Sequence, residues 1–183
     1  MLCARRQGTS EKWLQPILTI NTLADYCIRR KEPPQHEEEM RLVSCPILEN
    51  GCPVYDVRPF GCRALWSESL CRESGEAVMN PALVTINGVF QQIIEHMDEG
   101  GLYGNMIDLL RTLADNDCWT AYREGRPLKG MSALLETRPN PGFLVPPEHR
   151  ADVMSALELL WETRIDGIPF KEALTLGRSS ETG

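Results

Sequence analysis

Four cysteines, Cys45, Cys52, Cys62 and Cys71, fall in one short stretch that reads CPILENGCPVYDVRPFGCRALWSESLC from first to last. Thiolates bind soft and borderline metals, and four of them complete a tetrahedral zinc site or hold an iron–sulfur cluster. The gaps between them are six, nine and eight residues. Zinc knuckles bring ligands in close C-x₂₋₄-C pairs, and none of these gaps is one. The wide spacing suits an iron–sulfur cluster, which accepts ligands from separate loops. Pro46, Pro53 and Pro59 stiffen the connections, and Gly51 and Gly61 precede Cys52 and Cys62, where close backbone approach helps. Arg58 and Arg63 are candidate cofactor-binding residues, because positive charge beside a thiol favours the thiolate that binds metal. The competing reading is that these cysteines are buried small hydrophobes.

The other residues that could do chemistry are scattered. Cys27 falls on an apolar helical stripe and reads as core. Cys118, in DNDCW, reads as structural, with a role as an added ligand left open, as it is for Cys3. His36, His96 and His149 lie far apart in sequence and read as surface residues. Asp115 and Asp117 read as helix caps or solvated charges, and Trp66 and Trp119 as packing residues. No Ser/His/Asp order, phosphate loop or H-E-x-x-H is present.

Composition narrows the class of partner. The chain has 183 residues, 42% hydrophobic and 25% charged, with a net charge of −7. That balance suits one soluble domain over 1–183 with a buried core. The acidic total argues against nucleic acid and against anionic membrane, both of which want a basic face. No apolar run approaches the roughly 18 residues of a membrane span, and MLCARRQGTSEK lacks a secretory core. A cytoplasmic location follows as an expectation. Thiols stay reduced there, and seven cysteines cannot all pair internally. The expected partners are a metal ion or cluster and, in addition, a protein.

The elements that must position the cysteines read as mainly α, with an irregular cysteine-rich metal-binding loop region, 40–79, packed on a helical part, 80–177. A helix is expected within 10–31, starting at Ser10 or, because Pro16 belongs only in a first turn, near Asn21. Its apolar residues are Leu14, Ile17, Leu18, Leu23, Ala24, Cys27 and Ile28. Tyr55-Asp56-Val57 reads as a short helical turn closed by Arg58-Pro59. Asn80-Pro81 is an N-cap followed by a first-turn proline, opening a helix to about Met97 that Gly100-Gly101 stop. Its expected buried stripe is Leu83, Ile86, Val89, Phe90, Ile93, Ile94 and Met97. Further helices are expected over 102–115, 117–124, from Pro147 to Arg164 and over 170–176. The stretch 125–147 reads as a long connection with one helical turn at 132–136.

The pattern C-P-x-L-x-x-G-C-x-V-Y-x-x-R-P-x-x-C-R, from Cys45 to Arg63, resembles the YkgJ-like cysteine-cluster family, described as zinc- or iron-chelating domains. The resemblance spans about 40–100 and implies metal binding by Cys45, Cys52, Cys62 and Cys71, with Tyr55, Arg58 and Pro59 as structural parts of the motif. It implies no particular activity. Members usually carry a further C-x-x-C-C group upstream, where this chain has only Cys3 and Cys27. Either the site uses four cysteines or Met1 is a late start. A similar cluster also occurs in flagellin lysine methylases, but no motif for a methyl donor is visible here. The functional expectation is a metal-binding protein holding an iron–sulfur cluster or zinc. The alternatives are a redox or cluster-dependent enzyme and a structural zinc domain that presents its helices to a partner.

Overall fold

The structure, a computed structural model, describes residues 15–35, 52–69, 78–126 and 134–172. Its elements run α1 (Ile20–Ile28), a 3-10 turn (Tyr55–Val57), α2 (Phe60–Arg63), α3 (Pro81–Met97), β1 (Leu102–Tyr103), α4 (Met106–Leu113), α5 (Asn116–Arg123), β2 (Leu135–Glu136), a second 3-10 turn (Pro147–His149), α6 (Arg150–Glu162), β3 (Arg164–Ile165) and β4 (Ile168–Pro169). The fold is mainly α. Among the described residues no helix is long and apolar enough to cross a membrane.

Helix α3 is the spine. Asn80 caps it by accepting the amides of Ala82 and Leu83, and Pro81 takes the first helical position, where its missing N–H costs nothing. Helices α1 and α6 both pack against α3. The apolar core joins Val89 and Ile93 of α3 to Val153 and Leu157 of α6, flanked by Ile86, Phe90, Val145, Leu160, Trp161 and Phe170. Each such fully buried aliphatic side chain contributes about 1.5–3 kcal/mol. Trp161 and Phe170 stack with centroids 5.9 Å apart beside this core.

The contact between α1 and α3 is polar where the sequence predicts an apolar seam. Asn21 is 1% exposed and Glu95 3% exposed. One Glu95 oxygen accepts the Asn21 amide at 2.8 Å, and the other accepts the Arg138 amide, also at 2.8 Å. Asn21 Nδ2 donates to the carbonyls of Gln92 and Arg138, and Gln92 Nε2 donates to the Gly142 carbonyl. The Asn21 amide is one of the unpaired donors of the first turn of α1, so an acidic side chain there also meets the positive end of the helix dipole. Helix α1, the spine and the 138–142 segment are thereby fastened at one point.

Several expectations are corrected here. On α1 only Asn21 and Ala24 are buried, and Cys27 is exposed rather than core. On α3, Ile94 and Met97 face outward, while Gln92 and Glu95 take the inward positions. On α6, Met154 is likewise exposed. The expected helix over 102–115 begins only at Met106, because Leu102 and Tyr103 pair antiparallel with Glu136 and Leu135. The expected turn at 132–136 therefore ends as a strand. An unexpected hairpin follows α6, with Arg164 opposite Pro169 and Ile165 opposite Ile168. Its turn is Asp166-Gly167, both in the left-handed region at φ 50° and 83°, the conformation that a two-residue hairpin loop demands.

The junction between α3 and β1 is tight. The Asp98 carbonyl accepts the Gly101 amide and the Thr137 hydroxyl, and its carboxylate accepts the Tyr122 hydroxyl at 2.9 Å. A Cβ at Gly101 would overlap that carboxylate. Burial first, then the Asp98 hydrogen bond and charge, push the Tyr122 hydroxyl up to about 12 from 10.0. A raised phenol contributes stability that is complete below its unfolded value and is lost as pH climbs through the folded one. The melting-temperature gap between wild type and Tyr122→Phe should hold up to pH 10.0 and shrink toward pH 12. A gap independent of pH across that window would contradict this.

Candidate metal centre

The described part of the cysteine segment is two short turns. After Cys52 the chain curls into the 3-10 turn, with the Tyr55 amide on the Cys52 carbonyl at 3.2 Å and the Val57 amide on the Val54 carbonyl at 3.1 Å. Pro59 is then the N-cap of the single turn α2, and its carbonyl accepts the amides of Cys62 and Arg63. A helix of one turn does not persist alone in water. This one is docked on the spine. The Phe60 and Phe90 rings lie 6.2 Å apart, and Asn87 Nδ2 donates to the Ala64 carbonyl at 3.1 Å.

Cys52 and Cys62 are both free thiols and both half-buried. They are neither packed into the core nor paired in a disulfide. Cys45 and Cys71 lie outside the described residues, as do Cys3 and His36. Among the described residues, no three cysteine, histidine, aspartate or glutamate side chains gather as a metal-holding group. The ends of the segment that carries Cys71 are held together. The Glu68 amide donates to the Val78 carbonyl at 2.7 Å, and Ser67 Oγ accepts the Val78 amide at 2.9 Å.

The two arginines make hydrogen bonds within the cysteine segment itself. Arg58 Nε donates to the Tyr55 carbonyl, and its guanidinium carbon lies 3.7 Å from the centre of the Tyr55 ring. Arg63 Nε donates to the Arg58 carbonyl at 3.0 Å, and Arg63 Nη2 to the Asp56 carbonyl at 2.8 Å. Both guanidinium groups are thus engaged with backbone carbonyls of their own segment.

Cys118 sits at the start of α5, where Asp115 is the N-cap and accepts the amides of Asp117 and Cys118. Partial desolvation and then the hydrogen bond to the Asp115 carboxylate push the thiol up, and the same amide and thiol donors hold Asp115 down. A thiol kept protonated suits a structural role. His96 Nδ1 accepts the Asn140 amide at 3.3 Å, and His149 Nδ1 lies 2.7 Å from Thr85 Oγ1. Trp66 is exposed, and Trp119, also part-exposed, stacks on Tyr122 with ring centroids 6.3 Å apart. Sequence reasoning passed over Asn87, which ties the Cys62 turn to the spine. It also passed over Glu95, whose signal is a carboxylate at helical spacing from Gln92 on the buried face.

Compared with known proteins, no family model matches the chain, and no characterised protein or solved structure is significantly similar to it.

Proposed function

We propose that this is a cytoplasmic metal-binding protein that holds an iron–sulfur cluster or zinc through Cys45, Cys52, Cys62 and Cys71. The observation that carries the reading is the placement of Cys52 and Cys62: outside any disulfide, half-buried, and carried by two short turns that the neighbouring chain ties together. A loop this short in regular structure gains most from a ligand that completes it. The motif from Cys45 to Arg63, similar to the YkgJ-like cysteine-cluster pattern, supports the same reading, and so does the wide spacing, which favours a cluster. A bound cluster would supply one-electron chemistry, and bound zinc a structural tie.

Titration of the metal-free protein with cobalt(II) tests the reading. Coordination by thiolates gives an intense sulfur-to-metal charge-transfer band, expected to saturate at one metal per chain. Weak bands of oxygen-coordinated cobalt alone would overturn it.

A further inference from the structure

We infer that Arg63 is a positioning residue: its guanidinium fastens the turn that follows Cys52 to the turn that carries Cys62, and so sets the relation between the two thiols. The inference deepens the metal-centre reading and rests on it for its meaning, though not for its geometry.

The carbonyls at the end of a helical turn have no partner within the turn. Here the chain cannot supply one from the next residue, because position 59 is proline and carries no N–H. Side chains do so instead. Arg58 Nε takes the Tyr55 carbonyl at 3.1 Å, Arg63 Nη2 takes the Asp56 carbonyl at 2.8 Å, and Arg63 Nε takes the Arg58 carbonyl at 3.0 Å. Arg63 thereby spans from the last residue of α2 back across Pro59 to two carbonyls of the preceding turn and its exit. A cation also suits the negative end of that turn.

The chain of connections continues in both directions. Cys62 precedes Arg63 in α2, and α2 is docked on α3 through Phe60, Phe90 and Asn87. On the other side, the Tyr55 amide closes the turn onto the Cys52 carbonyl. The Cys62 turn is therefore placed by the spine, and the Cys52 turn is placed by Arg63 on the Cys62 turn. Each residue of Tyr55-x-x-Arg58-Pro59-x-x-Cys62-Arg63 gains a physical task. Tyr55 offers a ring and a carbonyl to Arg58, Pro59 ends one turn and caps the next, and Arg63 ties them.

Lysine separates this role from a purely electrostatic one. It keeps the charge, but it offers a point donor that cannot span two carbonyls in a fixed plane. The experiment compares wild type with Arg63→Lys as full-length chains. In the metal-free state, amide hydrogen exchange at Tyr55 and Val57 is expected to quicken about tenfold or more in the variant, the scale of a lost hydrogen bond to a charged group. Global melting should stay the same, since Arg63 is exposed. Cobalt(II) affinity should fall by about 10- to 100-fold, as for other groups that orient ligands, with shifted ligand-field bands. Wild-type exchange at these amides in Arg63→Lys would overturn the inference. If wild type binds no cobalt, the metal-centre reading fails by itself, and loss of amide protection in the variant still upholds the tie between the turns.

Discussion

Cys62→Ser is expected to strip the protein of its metal. A serine hydroxyl does not ionise near neutral pH, so it cannot replace a thiolate ligand, and the α2 turn offers no neighbouring donor in its place. Cys27→Ser is the matched control. Cys27 is exposed on α1, so its replacement should change stability by no more than about 0.5 kcal/mol, as for ordinary surface sites, and leave metal content intact. Metal per chain, measured on both variants after purification without oxygen, decides the matter. Equal metal loss in both, with folding preserved, would contradict the assignment of Cys62 as a ligand.

Glu95→Ala is expected to be the most damaging substitution outside the cysteine segment. Its carboxylate accepts the amides of Asn21 and Arg138, residues 74 and 43 positions away in sequence. Removing it leaves the buried Asn21 N–H without an acceptor, at a cost of about 1–3 kcal/mol, frees the part-buried Arg138 N–H as well, and opens a cavity besides. A loss of about 3 kcal/mol or more follows, a large part of the total stability of a typical domain. Glu95→Gln keeps the volume and one oxygen, so it should lose less. Urea unfolding of the three proteins measures the order. An alanine variant as stable as wild type would show that α1 is not fastened through this point.

These two sites differ in how far the sequence revealed them. The turn at Tyr55–Val57 was legible because turn chemistry is a local property. Helix α3 was legible for the same reason, with Asn80, Pro81 and the glycine pair marking its ends. The β1–β2 pairing was not, because it joins positions more than thirty residues apart, and no local pattern encodes such a contact. The seam between α1 and α3 misled in a different way. Of the described residues of the expected stripe only Ala24 is buried, while Leu23 and Ile28 are exposed and Asn21 turns inward, because the neighbour it meets offers Glu95 and the Gln92 carbonyl. The hairpin at 164–169 did carry a local sign, Asp166-Gly167, that the helical pattern before it obscured. The hydrogen bonds of Arg58 and Arg63 were hidden as well. Charge beside cysteine suggests an effect on sulfur, whereas the positions of their carbonyl partners are known only once the chain is folded.

The central claim is that the cysteine segment holds a metal. Iron, zinc and acid-labile sulfide per chain, determined on protein purified without oxygen, test it most directly. The expected result is either iron with matching sulfide, which marks a cluster, or about one zinc per chain without sulfide, the stoichiometry of a four-thiolate site. Protein that is folded, fully reduced and free of both metals would contradict it.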